Sequence, residues 1–527
     1  MQKINSDFLR KYIYLFLLII IFNAFFFTLL IISVYKNKML VYCVDDVYIQ
    51  LTIAKNLFLH NSYGINPGEF STPSSSIIYP LILYSCFLVS GVNIYFPLIF
   101  NIVFANILLV FIYNIISDYF LQEKLKVAVT FFLISYINIY IYIFTGMEHL
   151  FYALIFILFL NYSLQYLFFS VDKSKPKLYF IAILAFLLTA IRYEGIIILF
   201  LISALFFGKT KNKEGFLILF FGLLPVFIWG IFSAFNGAYF FPYSVILRAL
   251  YTNNQPNSLF FAILNRFYWN LNGYYEAAIF IISIINLILI FIYKRYLFQS
   301  KILFYSNLIV CIITISQFIF VSSYFRYILH ILIMNMLLLF INVYHILTKN
   351  EKFIKNNTII NLIIFILIIL SVLITFRNIN ITSQAINNIY EQQIQTSNFI
   401  NEFSKNEVVA LNDIGAVSYY SNSKIIDLCG LSDKNVFKMK INKIYDKNFL
   451  MTYCDSNNTK LIIIYESWFD KMIPDKWQLI GKMFIKNNYI CGDDNISFYI
   501  VDTNLFFQKR SQFLEFCKTL PKSIEYK

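Results

Sequence analysis

The chain has 527 residues, of which 59% are hydrophobic and 13% charged, with 60 Phe, 40 Tyr and a formal net charge of +14. Apolar runs of about 20 residues, each long enough to cross a bilayer core of roughly 30 Å, recur through the first three quarters, which excludes a water-soluble globule. The positive charge does not indicate nucleic acid: Lys and Arg gather in short loops between apolar runs, the pattern that orients a multi-pass chain in a membrane.

The first span is residues 13–34, preceded by Lys3, Arg10 and Lys11. No small-residue cleavage site follows it, so it reads as a retained anchor. Residues 35–75 then form one long loop on the outer face. Within it, "VDDVYIQLTIAKNL" places Asp45 and Asp46 at the start of a helix. Val47, Leu51, Ala54 and Phe58 recur at helical spacing with Gln50, Lys55 and Asn56 largely opposite, which predicts a helix lying on the membrane surface. An acid before a helix is ordinarily an N-cap. Two adjacent acids repel each other and need a further reason to coexist. Asn66-Pro67-Gly68 is a turn signal, and the "STPSSS" run after it is either a polar linker or a row of hydroxyls near the next span.

Further spans are expected near residues 76–90, 94–119, 146–170, 178–191, 196–208, 216–235, 274–293, 302–320, 327–347 and 358–376, giving about 11–13 in all. Basic loops at Lys173/Lys175/Lys177, Lys209/Lys211/Lys213, Lys294/Arg295/Lys301 and Lys349/Lys352/Lys355 place the N-terminus inside and the C-terminal tail outside. Segment 127–145 breaks that parity if it crosses fully, so it reads as a re-entrant or broken pair of half-helices hinged near Asn138. Arg192 in "TAIRYEG", Arg248 in "FPYSVILRA" and Arg326 in "SSYFRYILH" fall at the outward ends of spans. An Arg at mid-membrane costs about 2.5–3.5 kcal/mol, so such residues either snorkel to the interface or have a partner. Three on one face suit a phosphate, which guanidinium grips bidentately. Glu148 and Glu194 complete a polar ring there, Glu194 also standing ready to neutralise Arg192. Trp269 and Tyr274 either steer sugars or belong to an interfacial aromatic belt, and His60, His149 and His330 show no metal-ligand spacing.

At Arg377 the composition changes. Residues 377–527 carry short β-rich runs ("EVVAL", "KIID", "KLIIIYE", "ISFYIV") and an amphipathic helix over "EQQIQTSNFINEF", which predicts a small α/β domain. The fold class expected is therefore a polytopic α-helical membrane protein, residues 1–376, with a C-terminal extracytoplasmic α/β domain, residues 377–527. Cys429, Cys454, Cys491 and Cys517 in that domain either pair, with three possible connectivities, or stay as free thiols. Asp413, Gly415, Tyr420, Asp427 and Asp433 read as turn chemistry or as a surface that holds an acceptor.

Several of these runs resemble, in order, the motifs of the C-type (GT-C) integral-membrane glycosyltransferases. "DDVYIQLTIAKNLFLHNSYGINPGE" is similar to the family's first-loop signature, and "SSIIYPLIL", "GMEHLFYALIF", "AIRYEGIII" and "FPYSVILRA" are similar to its later segments. "VVALNDIGAVSYYSNSKIIDLCGLSD" resembles its outer-domain run. The chain departs from the pattern at Ile77 and Tyr193, where the family has Pro, and at Thr52 or Ile53, where it has Arg. The group includes arabinofuranosyl, mannosyl and aminoarabinosyl transferases that use polyprenyl-phosphate sugars.

The resemblance implies sugar transfer to a glycan, lipid or protein acceptor outside a bacterial plasma membrane. Asp45 is then the general base with Asp46 beside it, Arg192, Arg248 and Arg326 receive the donor phosphate, and Asn66, Glu69, Glu148, Glu194 and Asp413 bind substrate. Some relatives use a divalent cation, for which Asp45, Asp46 and Glu148 offer oxygen ligands. No nucleotide-binding glycine loop follows a strand. The rival class is a transporter or flippase of lipid-linked sugars, with the same cavity and no chemistry.

Overall fold

The structure, a computed structural model, describes residues 2–168, 177–210, 212–250, 267–268, 270–271, 273–292, 301–320, 325–348 and 357–527. Lys173, Lys175, Lys211, Lys294, Arg295, Lys349, Lys352, Lys355 and Trp269 lie outside them. Among the described residues seven helices are long and apolar enough to cross a membrane: Tyr12–Asn37, Phe96–Tyr119, His149–Phe168, Lys213–Phe235, Lys301–Ile319, Leu329–Leu347 and Asn357–Phe403. Four shorter apolar helices accompany them, Tyr79–Ser90, Leu178–Ile191, Gly195–Lys209 and Glu276–Ile292. Each expected span is one of these helices, so the chain is a multi-pass membrane protein.

Their periphery is apolar and open (Phe16, Ile31, Phe220 and Phe365 are all exposed), as a surface facing lipid requires. Their interior carries polar links instead. The Asn342 amide donates to Asn286 (3.1 Å) and Asn307 (2.9 Å), and that of Asn335 to Thr314 (3.1 Å). These bonds tie together the helices Tyr274–Ile292, Lys301–Phe320 and Leu329–Leu347, because an amide with no water near it must find a partner on a neighbouring helix.

Asn138 is the hinge expected in segment 127–145. It takes the left-handed conformation (φ 56°, ψ 53°) between the helices Glu123–Ile137 and Ile139–Phe144, a conformation Asn tolerates better than most residues. The second, six-residue helix delivers Phe144 to the start of the first loop, where the Cys43 N–H donates to the Phe144 carbonyl at 2.9 Å.

The composition change at Arg377 does not end a helix. Asn357–Ile389 continues through a π-turn, Tyr390–Ile394, into Gln395–Phe403, so the amphipathic helix expected over 391–403 is the end of this long rod. Beyond it six strands form one sheet in the order β2-β1-β3-β5-β4-β6: β1 Val408–Leu411, β2 Lys424–Asp427, β3 Thr459–Ile464, β4 Gln478–Ile485, β5 Asn495–Ile500 and β6 Ile524–Tyr526. β1 is parallel to β2 and β3, and the other pairings are antiparallel. The two-residue period decides the layers: Val409 and Leu411 pack with Phe399, Phe498 and Phe513 on one face, while Ala410 packs with Leu450, Cys454 and Trp477 on the other. β4 and β6 were not expected from the sequence. In β4, Gly481 leaves a gap in the row of side chains because the Phe513 ring occupies the place a Cβ would take.

One expectation is corrected. The first-loop helix, Asp46–His60, does not leave its polar side open to solvent. Val47, Leu51 and Ala54 are buried, and so are Tyr48, Ile49, Gln50, Thr52, Ile53 and Asn56. The polar side is covered because a short helix of the sheet domain, Gly415–Tyr420, lies along it: Thr52 shares a hydrogen bond with Ser418 (3.0 Å) and the Lys55 ammonium donates to the Tyr419 carbonyl (2.8 Å). The following Ser/Thr run is not a loose linker either. Ser71, Thr72, Ser74, Ser75 and Ser76 are buried, with the Ser74 hydroxyl donating to Gln50 at 2.9 Å.

Candidate active site

Several chain turns converge at one end of the helical body. The N–H groups of Ile77 and Ile78 both donate to the Ala190 carbonyl (3.1 Å each), which joins the end of the first loop to the turn carrying Arg192. The Tyr79 hydroxyl donates to the Gly146 carbonyl (2.7 Å), which joins it to the turn carrying Glu148.

The three arginines chosen from the sequence meet there. Their guanidinium carbons stand over one ring, that of Tyr327, at 4.8 Å for Arg192, 4.6 Å for Arg248 and 5.3 Å for Arg326. A ring face attracts cations, so Tyr327 lowers the cost of gathering like charges. Their partners differ. Arg192 is 2% exposed and forked onto Glu194 (Nη2–Oε1 2.7 Å, Nε–Oε2 3.2 Å), with Nη1 on the fully buried Glu148 at 2.8 Å. Arg326 pairs with Asp46 at 2.5 Å, the two side chains being 18% and 27% exposed. His149 packs edge-on to Tyr327 (5.5 Å between ring centres), and His330 lies against Tyr152 and Phe156.

Around this cluster Glu148 Oε2, His149 Nε2, the Tyr152 and Tyr193 hydroxyls and Arg326 Nε are buried with no hydrogen-bond partner. Buried polar atoms seldom go unpaired unless a ligand or water completes them.

Asp45 and Asp46 are adjacent but face different neighbours. Asp45 does not cap its own helix. Its carboxylate is 7% exposed and accepts from the backbone N–H groups of Gly415 (2.5 Å) and Ala416 (2.7 Å). Burial raises its pKa, and a hydrogen bond with Asp413 and those N–H groups pull it back. Gly415 is required for this approach, since a Cβ there would sit 2.0 Å from the Asp45 carbonyl oxygen.

Asp413 stands beside Asp45, its Oδ2 accepting from Gln393 (3.0 Å) and Tyr465 (3.2 Å). Asn66 and Glu69 are elsewhere. Asn66 brackets the edge strand β2, donating to the Ile425 carbonyl and accepting from its N–H, both at 2.9 Å, and Glu69 pairs with Lys424 at 2.8 Å. The "NPGE" turn thus covers an open sheet edge, a common need of exposed strands.

Tyr327, Gln393 and Tyr465 were not picked out from the sequence. Only the adjacency of Tyr327 to Arg326 offered a signal. The oxygens considered for a divalent cation do not gather: Asp45 is held by N–H groups, Asp46 by Arg326 and Glu148 by Arg192. No group of three or more His, Cys, Asp or Glu suited to a metal occurs among the described residues. All seven cysteines are free thiols.

Among solved structures, ArnT from Cupriavidus metallidurans, crystallised bound to undecaprenyl phosphate, is similar with a TM-score of 0.52, covering 92% of this chain and 98% of that chain at 8% sequence identity. The chain therefore has an ArnT-like fold, a polytopic helical body with a C-terminal sheet domain, the fold class its sequence led one to expect. Residues 385–499 match a family described as a domain of unknown function (DUF8728). The comparison with curated proteins gives no match.

Proposed function

We propose that the chain is a C-type membrane glycosyltransferase that moves a sugar from a polyprenyl-phosphate donor to a glycan, lipid or protein acceptor on the extracytoplasmic face. The observation that carries this reading is the convergence of three guanidinium groups on Tyr327 beside the first-loop acids. The bound undecaprenyl phosphate of the ArnT structure supports a lipid phosphate as the anion. In the step proposed, the acceptor hydroxyl oxygen attacks the anomeric carbon while the bond from that carbon to the phosphate oxygen breaks. The bonding electrons leave on the lipid phosphate, and the hydroxyl proton passes to a first-loop carboxylate.

Arg326 and Arg248 take the developing phosphate charge. Arg192, forked between two glutamates, holds the frame in which they stand. The sequence pointed to Asp45 as base; exposure and partners favour Asp46. Donor phosphate arriving at Arg326 loosens its pair with Asp46 and leaves that carboxylate next to the reacting sugar. Asp45 fixes the start of the helix against the sheet domain. No step passes through a metal.

The test is purified full-length protein in lipid nanodiscs with a panel of polyprenyl-phosphate sugars and candidate acceptors. Sugar transfer with release of polyprenyl phosphate, lost in Asp46→Asn while the protein stays folded, is the expected result. Translocation of the lipid without transfer, or transfer unimpaired in Asp46→Asn, overturns the assignment.

A further inference from the structure

We infer that the sheet domain sets the place of Arg248 through Phe437, which makes Phe437 a positioning residue for the phosphate-binding side of the site. The consequence for lipid phosphate rests on the function proposed above; the placement of Arg248 itself does not. Arg248 sits on a helix of only eight residues, Tyr243–Leu250. Tyr243 and Leu247, four residues apart, share one side of it and form with Phe437 a small buried cluster separate from the core of the helical body. The Phe437 ring is fully buried and stacks on that of Tyr243, with 4.4 Å between centres and 20° between planes, while Tyr239 meets it edge-on at 4.9 Å. Arg248 follows Leu247 and so points about 100° further round the helix, where its guanidinium meets the Tyr327 ring at 4.6 Å. A roll of this short helix swings the guanidinium off Tyr327, and the ring stack opposes the roll.

Phe437 is itself delivered by a braced turn, the run "IIDLCGLSD", whose acids have no part in the proposed reaction. Asp427, fully buried at the end of β2, accepts from the N–H groups of Cys429 (2.8 Å) and Ser432 (2.6 Å). Gly430 takes φ 77°, and a Cβ there would lie 2.9 Å from the Phe437 nitrogen. Asp433 caps the helix Lys434–Ile441 by accepting from the N–H groups of Asn435 (2.9 Å) and Val436 (3.1 Å), and the Tyr453 hydroxyl donates to its other oxygen at 2.8 Å. The Lys434 ammonium donates across the contact to the Gly237 carbonyl, in the turn before the Arg248 helix. A buried carboxylate, a left-handed glycine and a capped helix thus fix the angle at which one ring reaches the helical body.

Hydrogen exchange of the full-length protein in nanodiscs reads the placement without lipid phosphate or sugar. Phe437→Ala is expected to speed exchange over residues 243–250, and Phe437→Leu, which keeps most of the apolar volume, to leave it close to wild type. Phe516→Ala, an equal truncation in a different core of the same domain, should leave 243–250 unchanged. Unchanged exchange there in Phe437→Ala, or equal acceleration in Phe516→Ala, overturns the inference. The second readout is affinity for undecaprenyl phosphate. Arg248→Ala should weaken it about ten- to a hundredfold, the worth of a hydrogen bond to a charged group. Phe437→Ala should lose a comparable factor alone and add nothing in the Arg248→Ala background; independent, additive losses overturn the route through Arg248. Tyr243→Leu removes the stack from the helical side with the sheet domain intact, and must give the same two results if Phe437→Ala does not fold. Faster exchange over 243–250 in Phe437→Ala, together with unaltered lipid binding in Arg248→Ala, refutes the proposed phosphate role and upholds the positioning.

Discussion

Arg192 and Arg326 touch the same tyrosine ring, yet the structure predicts opposite consequences for removing them. Arg192→Ala strands two carboxylates, Glu148 fully buried and Glu194 15% exposed. Removing one partner of a buried ion pair costs about 3–5 kcal/mol, because the remaining charge has no water to turn to. Replacing Arg192, Glu148 and Glu194 together by Met, Gln and Gln is expected to recover most of that stability, since no orphaned charge remains. Arg326→Ala removes a partly solvated pair, worth about 1 kcal/mol. Its loss falls on the reaction, where removing one fixed stabiliser of developing charge typically costs a hundred- to a thousandfold in rate, about 2.7–4 kcal/mol. Thermal unfolding by tryptophan fluorescence, with and without undecaprenyl phosphate, separates the two. A ligand at a hundred times its Kd adds about 2.7 kcal/mol to the native state, and this increment should appear in the wild type and shrink in Arg326→Ala. Wild-type stability in Arg192→Ala, or an undiminished lipid-phosphate effect in Arg326→Ala, would refute the division of roles.

Other outcomes follow from single contacts. Gly415→Ala forces a Cβ into Asp45, so hydrogen exchange over residues 44–60 should rise and transfer fall sharply; unchanged exchange there counts against the tight approach. Asn66→Ala loses two hydrogen bonds to β2, about 1–3 kcal/mol locally, and should expose the Ile425 amide to exchange with only a modest fall in transfer, because Asn66 is outside the cluster. Asn138→Val must hold a branched side chain at φ 56°, costing at least about 1–2 kcal/mol, whereas Asn138→Gly should unfold close to the wild-type temperature. Alkylation of the denatured, unreduced protein should modify all seven cysteines; a protected pair detected by mass spectrometry contradicts the free thiols.

What the sequence could declare was whatever is written in runs and neighbours. Twenty apolar residues suffice to cross a bilayer, so the spans were legible from composition. Asn138 was legible as a break in an otherwise helical apolar stretch. Arginines at span ends were legible because a charge beside hydrocarbon demands an explanation. The first-loop helix shows the limit: its spacing of Val47, Leu51 and Ala54 describes one buried side truthfully and says nothing of what covers the other. β4 escaped because the packing of Phe513 on Gly481 replaces the side-chain pattern by which a strand is recognised.

The sequence by itself thus determined a multi-pass helical body, a β-rich C-terminal part and three cations at membrane boundaries, since each follows from local hydrophobicity and charge. Only the tertiary structure decided that one tyrosine ring receives all three guanidinium groups, that Arg192 is held by glutamates while Arg326 faces Asp46, and that Asp45 turns away to meet Gly415, 370 residues on. Contacts so distant along the chain leave no periodic trace, because they are set by how helices and sheet pack together and not by the residues on either side.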